Sequence, residues 1–171
     1  MISDEYRKLN AELHERNEHY GENGHKFLPL VEFMLMLTRG NTVLDYGCGK
    51  NSLKAALLAR NENMKVSEYD PAIPGCDAPP MAADIVVCND VLEHVEPEHL
   101  NSVLHHIRKL ARRGVVLTVC TKEAKKTLAD GRNAHLSVHP ASWWYPKLRE
   151  QYGEVAYFSG NPTHFAVCFT V

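Results

Sequence analysis

The side chains best suited to chemistry fall in two short stretches. The first is Asp45-Tyr46-Gly47-Cys48-Gly49-Lys50-Asn51-Ser52. Thr42 to Leu44 read as the end of a short buried strand and Ser52 to Arg60 as the helix after it, so the two glycines occupy a tight turn between them. Gly47 permits a positive φ, and Gly49 has no side chain to hold a ligand off the backbone. The following helix points unpaired N–H groups and the positive end of its dipole into the same gap. At the carboxyl edge of a parallel sheet, such a turn cradles part of a nucleotide-like ligand. Asp45, two residues before the first glycine, can meet a cation or orient the loop. A second strand-like run, Met64 to Tyr69, ends in Asp70, which is placed to accept hydrogen bonds from two ribose hydroxyls. The second stretch is Asp90-Val91-Leu92-Glu93-His94, at the exit of the strand-like run Ala83 to Asn89. Two carboxylates and an imidazole crowded on one turn suit a divalent metal with oxygen preference. The bland alternative is that Glu93 and His94 simply begin a helix and orient the loop.

Two absences narrow the ligand. Ser52 stands where a dinucleotide fingerprint would carry its third glycine, which argues against NAD or FAD, and no G-x-x-x-x-G-K-[ST] occurs. The ordered combination of Asp45-Tyr46-Gly47-Cys48-Gly49, Asp70, Asp84-Ile85-Val86-Val87 and Asp90-Val91-Leu92-Glu93-His94-Val95 resembles the class I S-adenosylmethionine-dependent methyltransferases, over roughly residues 20 to 171. That resemblance implies an α/β fold: a single-domain Rossmann-like sheet flanked by helices and ending in an antiparallel hairpin. It implies S-adenosylmethionine as cofactor, held by Asp45, Gly47, Gly49 and Asp70 with Asn89 or its backbone. A sulfonium already makes its methyl group electrophilic, so the protein must chiefly hold a nucleophile in line with the carbon–sulfur bond. His135 lies on the loop that forms one wall of the acceptor pocket in this fold, where it is a candidate general base or a hydrogen-bonding wall residue. Glu93 and His94 are further catalytic candidates. Asp90, Glu93 and His94 are similar to the E-x-x-E-H metal motif of small-RNA 2′-O-methyltransferases, with Asp in the first place and His135 as the natural fourth ligand.

The acceptor expected from this is a small-molecule or nucleotide-like hydroxyl or amine. The alternatives are a metal-assisted methyltransferase acting on RNA ends, and a non-catalytic module that binds the cofactor or regulates a partner. The strand exit Asn89-Asp90-Val91-Leu92 lacks the D/N-P-P-[YFW] motif of DNA amino-methyltransferases. Lys122, Lys125, Lys126 and Arg132 either receive an anionic acceptor or form a solvated run. Trp143 and Trp144 either stack on a planar substrate or close the core.

The elements that must position these groups follow from periodicity and punctuation. Residues 2 to 19 carry a thin apolar stripe (Tyr6, Leu9, Leu13) and read as a helix over the sheet edge or the ligand. After the glycine-broken Tyr20 to His25, an apolar helix runs from Lys26 to about Thr38. Residues 1–40 thus form a helical cover and 41–171 a cofactor-binding core, within one domain of 171 residues. Pro71 to Pro80 carries four prolines and cannot be regular helix. The family normally has a helix and a third strand here, so the sheet edge is pared down; the stretch assigns no residue to the adenine contact, with Asp77 one candidate. Residues 97 to 112 read as a helix whose His105, His106, Arg108, Lys109 and Arg112, with Arg113, form a basic or merely solvated face. Gly114 to Thr121 reads as a strand buried on both faces, and Pro140 to Gln151 as an amphipathic helix. Gly153 to Phe158 and His164 to Val171 read as closing strands joined at Ser159 to Pro162. A composition 44% hydrophobic and 23% charged fits a globular chain, and a formal charge of −2 supplies no global field for nucleic acid or membrane. No apolar run spans a bilayer. Five cysteines without C-x-x-C, three of them in apolar runs, point to reduced core thiols and a cytoplasmic setting.

Overall fold

In the computed structural model, which describes residues 2–171, six strands form one sheet. The strands are β1 (Thr42–Tyr46), β2 (Lys65–Tyr69), β3 (Ala83–Asn89), β4 (Ala111–Cys120), β5 (Val155–Asn161) and β6 (His164–Thr170), in the spatial order β2-β1-β3-β4-β6-β5. The first four are parallel; β4–β6 and β6–β5 are antiparallel. The order reverses beside β1, so the carboxyl ends of β2, β1, β3 and β4 flank the crevice where open α/β sheets bind ligands.

Both faces of the central strands are covered, which is why β3 and β4 are near-continuous apolar runs. Alternate side chains go to opposite faces. Leu44, Val86, Val115 and Leu117 pack under α4 (Leu100–Leu110) and α5 (Ala141–Tyr152), with Leu104, Ile107, Trp144 and Leu148. Val43, Ile85, Val87 and Val116 pack under α2 (Leu28–Thr38) and α3 (Ser52–Arg60), with Val31, Met34, Leu53 and Leu57. Trp144 therefore closes the core, while Trp143 stays half-exposed against the His139 ring.

Several boundaries differ from the sequence expectation. The helix read over residues 97–112 ends at Leu110, because Ala111 already pairs with Ala83 and begins β4. Arg112 and Arg113 consequently leave the expected helical face; Arg113 donates to the Thr38 carbonyl and pairs with Asp84. The closing hairpin is tighter than expected: β5 runs to Asn161, and the Asn161 side chain accepts hydrogen bonds from the Thr163 N–H and hydroxyl. The helix expected from Lys26 begins at Leu28, after a 3₁₀ turn over Asn23–Phe27. The proline-rich stretch 71–82 holds turns but no helix or strand, and β2 is the sheet edge.

The N-terminal cover is α1 (Asp4–Arg16), capped by Ser3, whose hydroxyl accepts from the Tyr6 N–H and donates to Glu96. Tyr6 and Leu13 pack on Leu128 and Ala134 of the segment after β4. Cover and segment thereby shelter one side of the strand ends. Among the described residues no helix is long and apolar enough to cross a membrane.

Candidate active site

A cavity of about 420 Å³ opens at the carboxyl ends of the parallel strands. Its floor takes Asp70 after β2, Asp45 and Tyr46 of β1, Asn89 of β3 and Cys120 of β4; its other walls come from α1, Tyr20 and the segment 122–135.

At the β1–β2 end, the turn is built as the glycines require but for partly different reasons. Gly47 has φ +82°, and a Cβ there would run into the Val91 side chain. Gly49, at φ +52°, makes room for the chain itself: a Cβ would overlap the Gly21 carbonyl. The Lys50 N–H donates to that carbonyl at 2.9 Å, and the Lys50 ammonium to the His14 carbonyl at 3.3 Å. Gly49 therefore has a second use beside the one expected of it: it lets the cover close onto the glycine turn. Asp70 is buried and accepts from the Gly49 N–H at 3.3 Å and the Ala72 N–H at 3.0 Å, one through each carboxylate oxygen. Burial raises its pKa, and these two hydrogen bonds oppose the rise. Asp45 has only 4% exposure. Burial first, then the charges of Glu68 and Asp70, push its pKa up to about 7.

In the middle lies Asn89, whose side-chain oxygen and nitrogen are both buried without a hydrogen-bond partner. An orphaned buried amide is costly, and its place on the cavity floor suits a polar ligand. Asp45, Gly47, Gly49, Asp70 and Asn89 all line this one cavity, and their donor set fits a nucleoside cofactor. Asp77 does not line it; its carboxylate accepts from the Gly75 N–H beside a shallow surface depression.

At the β3–β4 end the structure separates residues that the sequence grouped. Asp90 adopts φ +52°, and its carboxylate is engaged by residues other than Glu93 and His94. Its carboxylate accepts from the Thr118 hydroxyl at 2.8 Å and lies 2.7 Å from His164 Nε2. Burial alone would raise the Asp90 pKa, but His164 and Thr118 hold it below the usual carboxylate range. Glu93 is fully buried; one oxygen accepts from the Cys120 N–H at 2.8 Å and the other has no partner. Burial, then the Asp90 charge, pushes its pKa well up. His94 Nδ1 lies 2.7 Å from the Ala134 carbonyl, which can only accept, so that nitrogen carries the proton. Burial, with His135 nearby, lowers the His94 pKa to about 3, so the ring is neutral. The expected metal trio Asp90, Glu93 and His94 does not assemble; the side chains that converge are Glu93, Cys120 and His135, with ligand atoms within 4.8 Å of one another. His135 Nδ1 lies 2.6 Å from the Lys122 carbonyl, which fixes the proton there and leaves Nε2 free.

The sequence reading missed Cys120 and the cover's polar lining. Asn10, His14 and Tyr20 face the cavity. The Tyr20 hydroxyl donates to Asn10 at 3.0 Å, and its ring lies 4.5 Å from that of His14. Lys126 stands 4.8 Å above the Tyr20 ring, and Lys122 and Lys125 also line the cavity. Arg132 instead pairs with Asp130 and Glu5. The helical spacing of Tyr6, Asn10, Leu13 and His14 was the available signal for the cover.

Fold and site together define a class I methyltransferase. A family profile described as a methyltransferase domain matches residues 13–166, nearly the whole chain. The chain belongs to that family and is an S-adenosylmethionine-dependent methyltransferase. Solved structures share the fold at low identity. The Burkholderia thailandensis 1,6-didemethyltoxoflavin-N1-methyltransferase, solved with its substrate and S-adenosylhomocysteine, is 16% identical over 91% of this chain and 81% of its own, with a TM-score of 0.64. The methyltransferase domain of a bacterial Hen1 is 18% identical over 87% of this chain and 99% of its own, with a TM-score of 0.63. Against an O-methyltransferase family protein from Burkholderia thailandensis, 15% identical with a TM-score of 0.59, 86% of this chain is covered and it spans only 57% of that chain. No curated protein sequence matches.

Proposed function

We propose that the protein transfers a methyl group from S-adenosylmethionine to a small-molecule or nucleotide-like hydroxyl or amine held between the N-terminal cover and the segment 122–135. The supporting observation is the single cavity that runs past Asp70, Asn89 and His135, with the Asn89 amide unpartnered on its floor. When bound, S-adenosylmethionine supplies an electrophilic methyl carbon. The chain's own residues supply position. Asp70, pinned by two backbone N–H groups, keeps lone pairs for ribose hydroxyls, and the buried Asp45 offers negative charge to a cationic ligand. Asn89 gives a donor and an acceptor between the two ends. At the far end, His135 turns Nδ1 to the Lys122 carbonyl, so Nε2 is the nitrogen placed to accept the proton an acceptor hydroxyl loses. Tyr6, His14 and Tyr20 screen the site from water on the cover side. Small-molecule acceptors of the fold neighbours, such as the toxoflavin precursor, support that acceptor class.

The test is binding followed by transfer. S-adenosylhomocysteine should bind the folded protein in calorimetry. Methyl-labelled cofactor should then label a hydroxyl or amine in a pool of small molecules and nucleotides. Label appearing only in RNA would move the acceptor to the nucleic-acid class. A folded protein that binds neither form of the cofactor would end the proposal.

A further inference from the structure

We infer that Glu93, Cys120 and His135 form a transition-metal site of the zinc type at the acceptor end of the cavity. The inference deepens the proposed function and rests on it in one respect: it makes His135 act on the acceptor through a cation rather than directly.

Three observations converge. The carboxylate, thiol and imidazole come from three separate segments: the turn after β3, the end of β4, and the loop beyond it. Their ligand atoms nevertheless lie within 4.8 Å of one another. Glu93 is 0% exposed, and one of its carboxylate oxygens has no hydrogen-bond partner. Leaving such a group unpaired in the interior is unfavourable unless something else occupies its lone pairs. The remaining geometry also matches what a metal requires. The other Glu93 oxygen is fixed by the Cys120 N–H, and His135 Nδ1 faces the Lys122 carbonyl. An imidazole so oriented by its second nitrogen presents Nε2 for coordination, the outer-shell arrangement found around ligating histidines.

The donor set selects the ion. Two carboxylates and an imidazole would have favoured an oxygen-seeking cation. With Asp90 committed to Thr118 and His164, a thiol replaces the second carboxylate, and sulfur with imidazole favours zinc over magnesium. Ligand atoms around a tetrahedral zinc lie about 3.4–3.8 Å apart, given bonds of about 2.0–2.3 Å. The observed group has to contract by roughly 1 Å, which the half-buried loop bearing His135 can supply. Three protein ligands leave the fourth position open, and it faces the cavity already assigned to the acceptor. The acceptor class that fits is therefore one with a metal-coordinating oxygen or nitrogen beside the methylated atom.

Titration of the metal-free protein with Zn²⁺ or Co²⁺ alone tests the site. One equivalent should bind, and the cobalt form should show thiolate-to-metal charge-transfer absorption. Cys120→Ser should abolish that absorption and weaken binding by more than the roughly 10–100-fold that outer-shell changes cost. Cys48→Ser and Cys76→Ser should preserve both. Absence of cobalt binding by the wild type, or an absorption band that survives Cys120→Ser, would overturn the inference. Calorimetry with S-adenosylhomocysteine on the same metal-free protein separates the two readings. Binding there without cobalt binding removes the metal site and leaves the transferase proposal standing.

Discussion

Replacing Asp45 with Asn should make the protein more stable and a poorer cofactor binder, both in a pH-dependent way. The carboxyl is nearly inaccessible, and burial first, then Glu68 and Asp70, raises its pKa from an ordinary 3.8 to about 7. A folded-state pKa above the unfolded value means the protonated form is the one folding favours. The contribution is complete below about pH 4 and is lost as pH rises towards 7, because the native state must then hold a buried charge. At 1.36 kcal/mol per pH unit, the interval corresponds to about 4 kcal/mol at neutral pH, an upper figure for a buried group. Asn keeps the shape and removes the charge. The Asp45→Asn protein should therefore match the wild type near pH 4 and exceed it near pH 8. In a chain of this size each 1 kcal/mol is worth roughly 2–4 °C, so the melting temperature should rise by up to roughly 8–16 °C. Affinity should move the other way: losing a charge-assisted contact worth about 1.5–3 kcal/mol weakens S-adenosylmethionine by roughly 10–150-fold near pH 8. Paired scanning calorimetry at the two pH values, with titration calorimetry for the cofactor, reads both effects. A stability difference equal at both pH values, or a variant less stable near pH 8, would refute the reasoning.

Two further substitutions probe the same end of the cavity. Asp70→Asn keeps one acceptor for the loop N–H groups but loses the charge, and S-adenosylhomocysteine affinity should fall roughly 10–150-fold in a protein that still melts cooperatively; unchanged affinity would remove the ribose role. Gly49→Ala combines a positive φ with overlap on the Gly21 carbonyl. It should cost at least about 1–2 kcal/mol from the backbone alone and raise hydrogen exchange in the cover, and a melting temperature within error of wild type would contradict the close approach.

Much of the β1–β2 end of the cavity was legible in the sequence. The glycine turn, the strand leading into it and the acid ending the second strand are local features, fixed by allowed φ and by side-chain alternation within a few residues. The proline-rich gap likewise announced the missing strand. The rest depended on pairings across the chain. Asp90 and Glu93 look like partners because they are three residues apart, yet Asp90 is claimed by Thr118 and His164, and His164 lies 74 positions away. Cys120 joins Glu93 and His135 only because β4 pairs beside β3 and runs past the level of Asn89, whose partner is Thr118, to reach the turn that carries Glu93. Gly49 is explained by Gly21, which reaches it only when the cover folds back over the sheet. Short-range sequence therefore determined which groups leave the strand ends. Strand order and the packing of distant segments decided which of them meet, because a strand exit has several neighbours within reach and only the assembled sheet chooses among them.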